Sequence, residues 1–170
     1  MKNLSFVVAG LLFPFFALAQ NPVARFFDNP AVNELNCSFE YTVRGSVPLT
    51  GDGTVWMSGE CFKVAGNGII VLCDGVTRWM VDEETMEIYA ESADDVRELL
   101  NDPGALLKSL RSPVYGKDSL KGTFDYDGRT TDITFTDIRV TAVGDNKKPF
   151  TPEDEVKGLV KEGYILTDLR

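Results

Sequence analysis

From Asn36 onward the chain alternates apolar and polar residues with a period of two, and turn-forming residues break the alternation at short intervals. A β-strand sends successive side chains to opposite faces, so this pattern commits most of the chain to an antiparallel sheet with one buried side. Cys37, Phe39, Tyr41 and Val43 alternate with Ser38, Glu40 and Thr42. Further strands are expected over residues 54–58, 60–64, 69–73, 77–81 and 86–90, joined at Ser58-Gly59, Gly66-Asn67-Gly68, Asp74-Gly75 and Glu83-Glu84.

The turns predict a register. A three-residue loop at Gly66-Asn67-Gly68 sets Val64 opposite Ile70 and Phe62 opposite Leu72. A two-residue turn at Asp74-Gly75 sets Ile70 opposite Trp79, and a loop over residues 82–85 sets Val81 opposite Met86 and Trp79 opposite Ile88. Cross-strand partners share a face, so Phe62, Val64, Ile70, Leu72, Trp79, Val81, Met86 and Ile88 are expected to form a single apolar surface. Lys63, Arg78, Asp82, Glu87 and Tyr89 then fall on a wet opposite face.

The period changes after Ala93. Val96, Leu99 and Leu100 form a helical stripe behind Asp94-Asp95, and Pro103 opens a second short helix carrying Leu106, Leu107 and Leu110. Hairpins resume with Leu120, Phe124 and Tyr126, a turn at Asp127-Gly128, and Ile133 and Phe135; residues 138–143 extend that strand pair. Thr151-Pro152-Glu153-Asp154 has the form of an N-cap, a proline at the first helical position and an acidic first turn, predicting a helix over 152–161 before a last strand over 164–169. Residues 22–35 have helical character that Pro30 interrupts. The expected class is α+β: one strongly curved antiparallel sheet covered on its apolar face by helices. The pattern leaves open whether that face is filled or encloses a cavity.

Of the 170 residues none is histidine, which removes Ser-His-Asp and Cys-His nucleophile pairs, histidine-ligated zinc and an imidazole base. A net charge of −9 with no basic stripe argues against nucleic acid as a partner. At the start, Lys2 precedes an uncharged run over residues 4–16 and then Ala17-Leu18-Ala19, the form of a secretory signal peptide cleaved after Ala19. Residues 20–170 are then expected to be a single soluble domain in the periplasm of a two-membrane bacterium.

The order of motifs resembles the periplasmic lipoprotein carrier family, the LolA-like proteins. The resemblance rests on Gly53-Thr54-Val55-Trp56-Met57, Cys61-Phe62-Lys63-Val64, Cys73-Asp74-Gly75-Val76-Thr77-Arg78-Trp79, then Asp82 and Ile88. Asn101-Asp102-Pro103-Gly104-Ala105-Leu106-Leu107 is similar to the family's Pro-Ala-x-Leu-Leu helix, and Ile165-Leu166-Thr167-Asp168-Leu169-Arg170 is similar to the end of related chains. The resemblance spans residues 36–170 and implies an incomplete barrel, lidded by helices, that shelters acyl chains. The apolar surface above would line the cavity, with Phe39, Tyr41, Phe124 and Phe135 added and Leu106 and Leu107 in the cover. The implied partners are acylated lipoproteins or lipids, an inner-membrane exporter and an outer-membrane acceptor, with a monomeric carrier that needs no cofactor, no metal and no catalytic residue. Lys63 departs from the family, which often carries at this place an arginine implicated in lid closure and release; lysine lacks that residue's forked hydrogen bonding.

Three cysteines leave one unpaired in an exported chain. The expected register sets Cys61 opposite Cys73, making them the candidate disulfide; the alternative is three buried thiols. Glu83-Glu84 and Asp94-Asp95 fit a turn and a helix start better than paired acid/base carboxylates. Two functions from different classes follow. One is a non-enzymatic carrier that moves acyl chains or lipoproteins toward the outer membrane. The other is a sensor of the same fold that binds an apolar ligand and regulates a membrane partner without transfer.

Overall fold

A computed structural model describes residues 21–93, 103–126, 128–143 and 150–170. The expected leader over residues 1–19, the stripe of Val96, Leu99 and Leu100 with Asp94-Asp95, and Asp127 of the expected turn lie outside them. The described residues form ten strands in one open sheet and three α-helices, an α+β arrangement dominated by the sheet.

The chain opens with α1 (Pro22–Asp28), whose N-cap Asn21 accepts a hydrogen bond from the Val23 amide, and a 3₁₀ turn (Pro30–Val32). Pro30 ends the helical stretch because its ring bars the preceding residue from helical geometry. Strands β1 (Asn33–Val43), β2 (Leu49–Ser58), β3 (Cys61–Gly66), β4 (Ile69–Cys73), β5 (Thr77–Asp82) and β6 (Glu87–Ser92) follow as an antiparallel meander. Then come α2 (Pro103–Ser109), β7 (Arg111–Tyr115), β8 (Leu120–Tyr126), β9 (Arg129–Ala142), α3 (Pro152–Lys161) and β10 (Ile165–Asp168). The order across the sheet is β10-β6-β5-β4-β3-β2-β1-β9-β8-β7, with β10 parallel to β6 and every other pair antiparallel. The expected helix over 152–161 matches α3. Strand β7, which contains Pro113, was not expected; it sits at the sheet edge, where a missing amide breaks no ladder bond.

The register departs from expectation at three turns, and at one of them by an odd number that reverses the faces. Asn67 and Gly68 have φ of 54° and 78°, so they are the two central residues of a tight turn with Gly66 paired to Ile69. Asn-Gly is the pair best suited to two successive positive φ angles. Gly66 therefore belongs to β3, where a Cβ would come within 2.3 Å of the Asp52 carbonyl oxygen on β2. Val64 now faces Val71, and Phe62 faces Cys73. The next two hairpins each shift by an even number, Leu72 facing Trp79 and Val81 facing Ile88, which preserves the sharing of faces.

The expected single apolar surface is thus corrected to two. Phe62 and Val64 stand on one side with Val55, Met57, Val71 and Cys73, while Ile70, Leu72, Trp79, Val81 and Ile88 stand on the other. The first side belongs to a buried cluster that includes Val23 and Phe26 of α1 and Leu106 and Leu107 of α2. The second forms a separate cluster under α3, whose Val156 and Leu159 pack with Phe150 and Tyr164 against it. Lys63, expected on a wet face, is half-buried on the α3 side and donates to Glu155 Oε1 at 2.6 Å. Met86, expected in the apolar surface, is exposed in the β5–β6 turn with φ of 56°. Among the described residues no helix is long and apolar enough to cross a membrane.

The second cluster is a structural core, and its loss should show in stability alone. Leu72 is 0% exposed, so L72A should cost about 2–5 kcal/mol of unfolding free energy. Chemical denaturation monitored through Trp79 fluorescence measures this cost.

Candidate functional site

On the side of the sheet facing α1 and α2, Phe39 and Tyr41 of β1 lie directly across from Gly53 and Gly51 of β2. Their rings stack with centroids 6.3 Å apart and planes 26° apart, and Phe39 also meets Phe135 of β9 at 6.3 Å. A Cβ on Gly53 would fall 2.7 Å from the Phe39 ring, and one on Gly51 would fall 2.5 Å from the Tyr41 hydroxyl. The rings therefore lie down over the bare backbone of β2. Glycine in a strand ordinarily weakens it; here aromatic neighbours cover the gap.

These rings form one wall of a cavity of about 390 Å³, within the range of small-molecule sites. Val55, Val64, Val71 and Met80 line it from β2 to β5, Ile133 and Phe135 from β9, Phe124 from β8, and Pro103 and Leu106 from α2. Met80 and Phe124 are six strands apart in hydrogen-bonding order, a span of roughly 29 Å in a flat sheet. Both line this one cavity, so the sheet curls around it without its edge strands pairing. Leu49, 61% exposed, and the turn residue Asn67 lie at the rim.

The wall has few polar groups. Asn67 Nδ2 donates to the Tyr41 hydroxyl at 3.0 Å, holding the outermost ring in place. Thr131 stands in register between Val43 and Phe124, is 2% exposed and lines the cavity; its hydroxyl has no hydrogen-bond partner. Leaving such a group unpaired costs about 1–3 kcal/mol. Among the described residues no set of three or more His, Cys, Asp or Glu side chains is placed to hold a metal. The wall is suited to holding hydrocarbon.

Of the residues expected to line a cavity, Phe39, Tyr41, Val64, Leu106, Phe124 and Phe135 do so. Phe62 and Leu107 belong to the packed cluster beside it, and Phe62 lines a second cavity of about 490 Å³ next to α1. Ile70, Leu72, Trp79, Val81 and Ile88 are corrected to the opposite face, under or beside α3, and Met86 to a turn. Val43, Leu49, Val55, Val71, Met80 and Ile133 also line the main cavity and were not among the expected residues. Their alternation was legible, but assigning Val71 and Met80 to the inner side required the register at Asn67-Gly68.

The cysteines are all free thiols. Cys61 and Cys73 do not face each other as expected, because the one-residue shift sets Cys73 against Phe62. Both border the second cavity, together with Arg78, which pairs with Glu91, and Lys108, whose ammonium sits 4.4 Å from the Phe27 ring centroid. Cys37 lies in the main cluster, where burial pushes its thiol up to about 12.

No protein-family model matches the chain, and no curated protein matches it in sequence.

Two outcomes follow from this geometry. G53A drives a methyl into the Phe39 ring and the Ala65 carbonyl, so it should destabilise the fold by about 1–3 kcal/mol, measured by urea unfolding. At pH 8 a maleimide should leave Cys37 unmodified in the native protein and label it after denaturation, read by peptide mass spectrometry.

Proposed function

We propose that this protein is a non-enzymatic carrier of the LolA-like kind, exported to the periplasm, which takes up acyl chains of lipids or lipoproteins and moves them toward the outer membrane. The observation that carries this is the cavity itself: an apolar space held open inside a curled sheet and walled in part by Pro103 and Leu106 of α2. A cavity kept open at the expense of core packing is costly unless something fills it. The motif order along the chain, with Phe62 in the third strand and Pro103 opening α2, supports the same reading. In it, α1 and α2 cover the concave side and the short α2 is the part that gives way to a ligand.

Affinity would come from removing methylenes from water, at ~0.8 kcal/mol each. Discrimination would come from chain length and girth, because the wall offers few polar contacts. Lys63 stands outside the cavity, bound to Glu155 of α3, so release in this protein does not run through the family's arginine position. An inner-membrane exporter would load such a carrier and an outer-membrane acceptor would unload it.

Displacement of a fluorescent fatty-acyl reporter by straight-chain acyl esters tests the proposal. Affinity should rise about fourfold per added methylene until the cavity is full and then level off. Absence of reporter uptake, together with neither lipid nor lipoprotein in mass spectra of the gently purified protein, would falsify the carrier function. Stable capture of one membrane protein without transfer of the acyl cargo would favour the sensor.

A further inference from the structure

The unpartnered hydroxyl of Thr131 marks a place where the cavity asks for more than hydrocarbon. Thr131 lies near the start of β9, one strand from Val43 at the end of β1 and one from Phe124 near the end of β8. This is the end of the sheet where the rim residues Leu49 and Asn67 also sit. An acyl ligand that buries its tail and leaves its head outside places its carbonyl group at this depth, between the two. Val43, Phe124, Ile133 and Phe135 around Thr131 supply no acceptor side chain, and its Oγ1 has no hydrogen-bond partner. Its Oγ1 is shielded in this rotamer, and a turn about χ1 exchanges hydroxyl and methyl and brings the hydroxyl to the cavity without moving the backbone. A valine would fill the same space without the cost of an unpaired donor.

We propose that Thr131 donates a hydrogen bond to the carbonyl oxygen of an acyl ester or amide, so that the cavity selects carbonyl-bearing acyl compounds over bare alkyl chains. The inference deepens the carrier reading and rests on it. It makes Thr131 the residue that sets how far a chain enters: the carbonyl stops where the hydroxyl meets it, and the hydrocarbon beyond fills the wall of Phe39, Val64 and Phe135.

The test uses the full chain and two probes that differ only at the carbonyl: methyl dodecanoate and dodecyl methyl ether, each competing with the fluorescent reporter. The ratio of ester to ether affinity is compared between the natural protein and T131V. The ratio should fall about three- to tenfold in T131V, the worth of one hydrogen bond, with ether affinity held or improved. T131S, which keeps the hydroxyl, should retain the preference, and it replaces T131V as the decisive comparison with T131A if valine prevents folding. Equal ester-to-ether ratios in all variants overturn the role of Thr131 while leaving the carrier intact. If neither probe displaces the reporter from the natural protein, both the carrier reading and the role of Thr131 fall.

Discussion

The two-residue turn at Asn67-Gly68 decides which side of the sheet each side chain of β4, β5 and β6 will face. Both residues hold positive φ, a geometry that Asn and Gly tolerate and that matches the twist of the strands they join. With Gly66 drawn into β3, Val71 and Met80 turn toward the cavity, and Leu72, Trp79 and Val81 turn toward α3. A turn one residue longer would exchange these sets. The cavity wall and the second core therefore depend on a backbone conformation at two positions.

The two faces then meet different fates. The face under α3 is closed: Leu72, Val81 and Ile88 are fully buried, Val156 fills the space above them, and the Trp56 and Phe150 rings pack edge-on with centroids 4.5 Å apart. The Lys63–Glu155 pair adds orientation more than energy, since a half-exposed ion pair contributes about 0–1 kcal/mol. The other face is closed over Leu35, Leu107 and Leu120 and left hollow beside Phe39 and Tyr41. Firm packing on one side leaves the sheet able to hold an open space on the other.

The hollow depends on residues that contribute no side chain. Gly51 and Gly53 let the Tyr41 and Phe39 rings lie along β2, so the largest side chains of the wall lie against the backbone and do not fill the middle. The ion pairs Arg44–Asp132 and Arg111–Asp125 lie on the surface and hold the carboxyls of Asp132 and Asp125 below the usual range, chiefly through hydrogen bonds from Arg44 and from Thr130. The hollow is thus built by steric relief within an apolar wall.

The sequence by itself determined the antiparallel sheet, the positions of most of its strands and the helix opened by Pro152, because period-two alternation and turn residues act locally. It also limited the chemistry, since a chain without histidine has no imidazole to place. Only the tertiary structure decided that the apolar residues of β3 to β6 divide between two faces, that β10 returns parallel to β6, and that Thr131 stands unpartnered in the wall. The physical reason is that a strand's side-chain period is two, so a single residue of turn length reverses its faces, and that a cavity exists only where residues distant in sequence fail to fill the space between them.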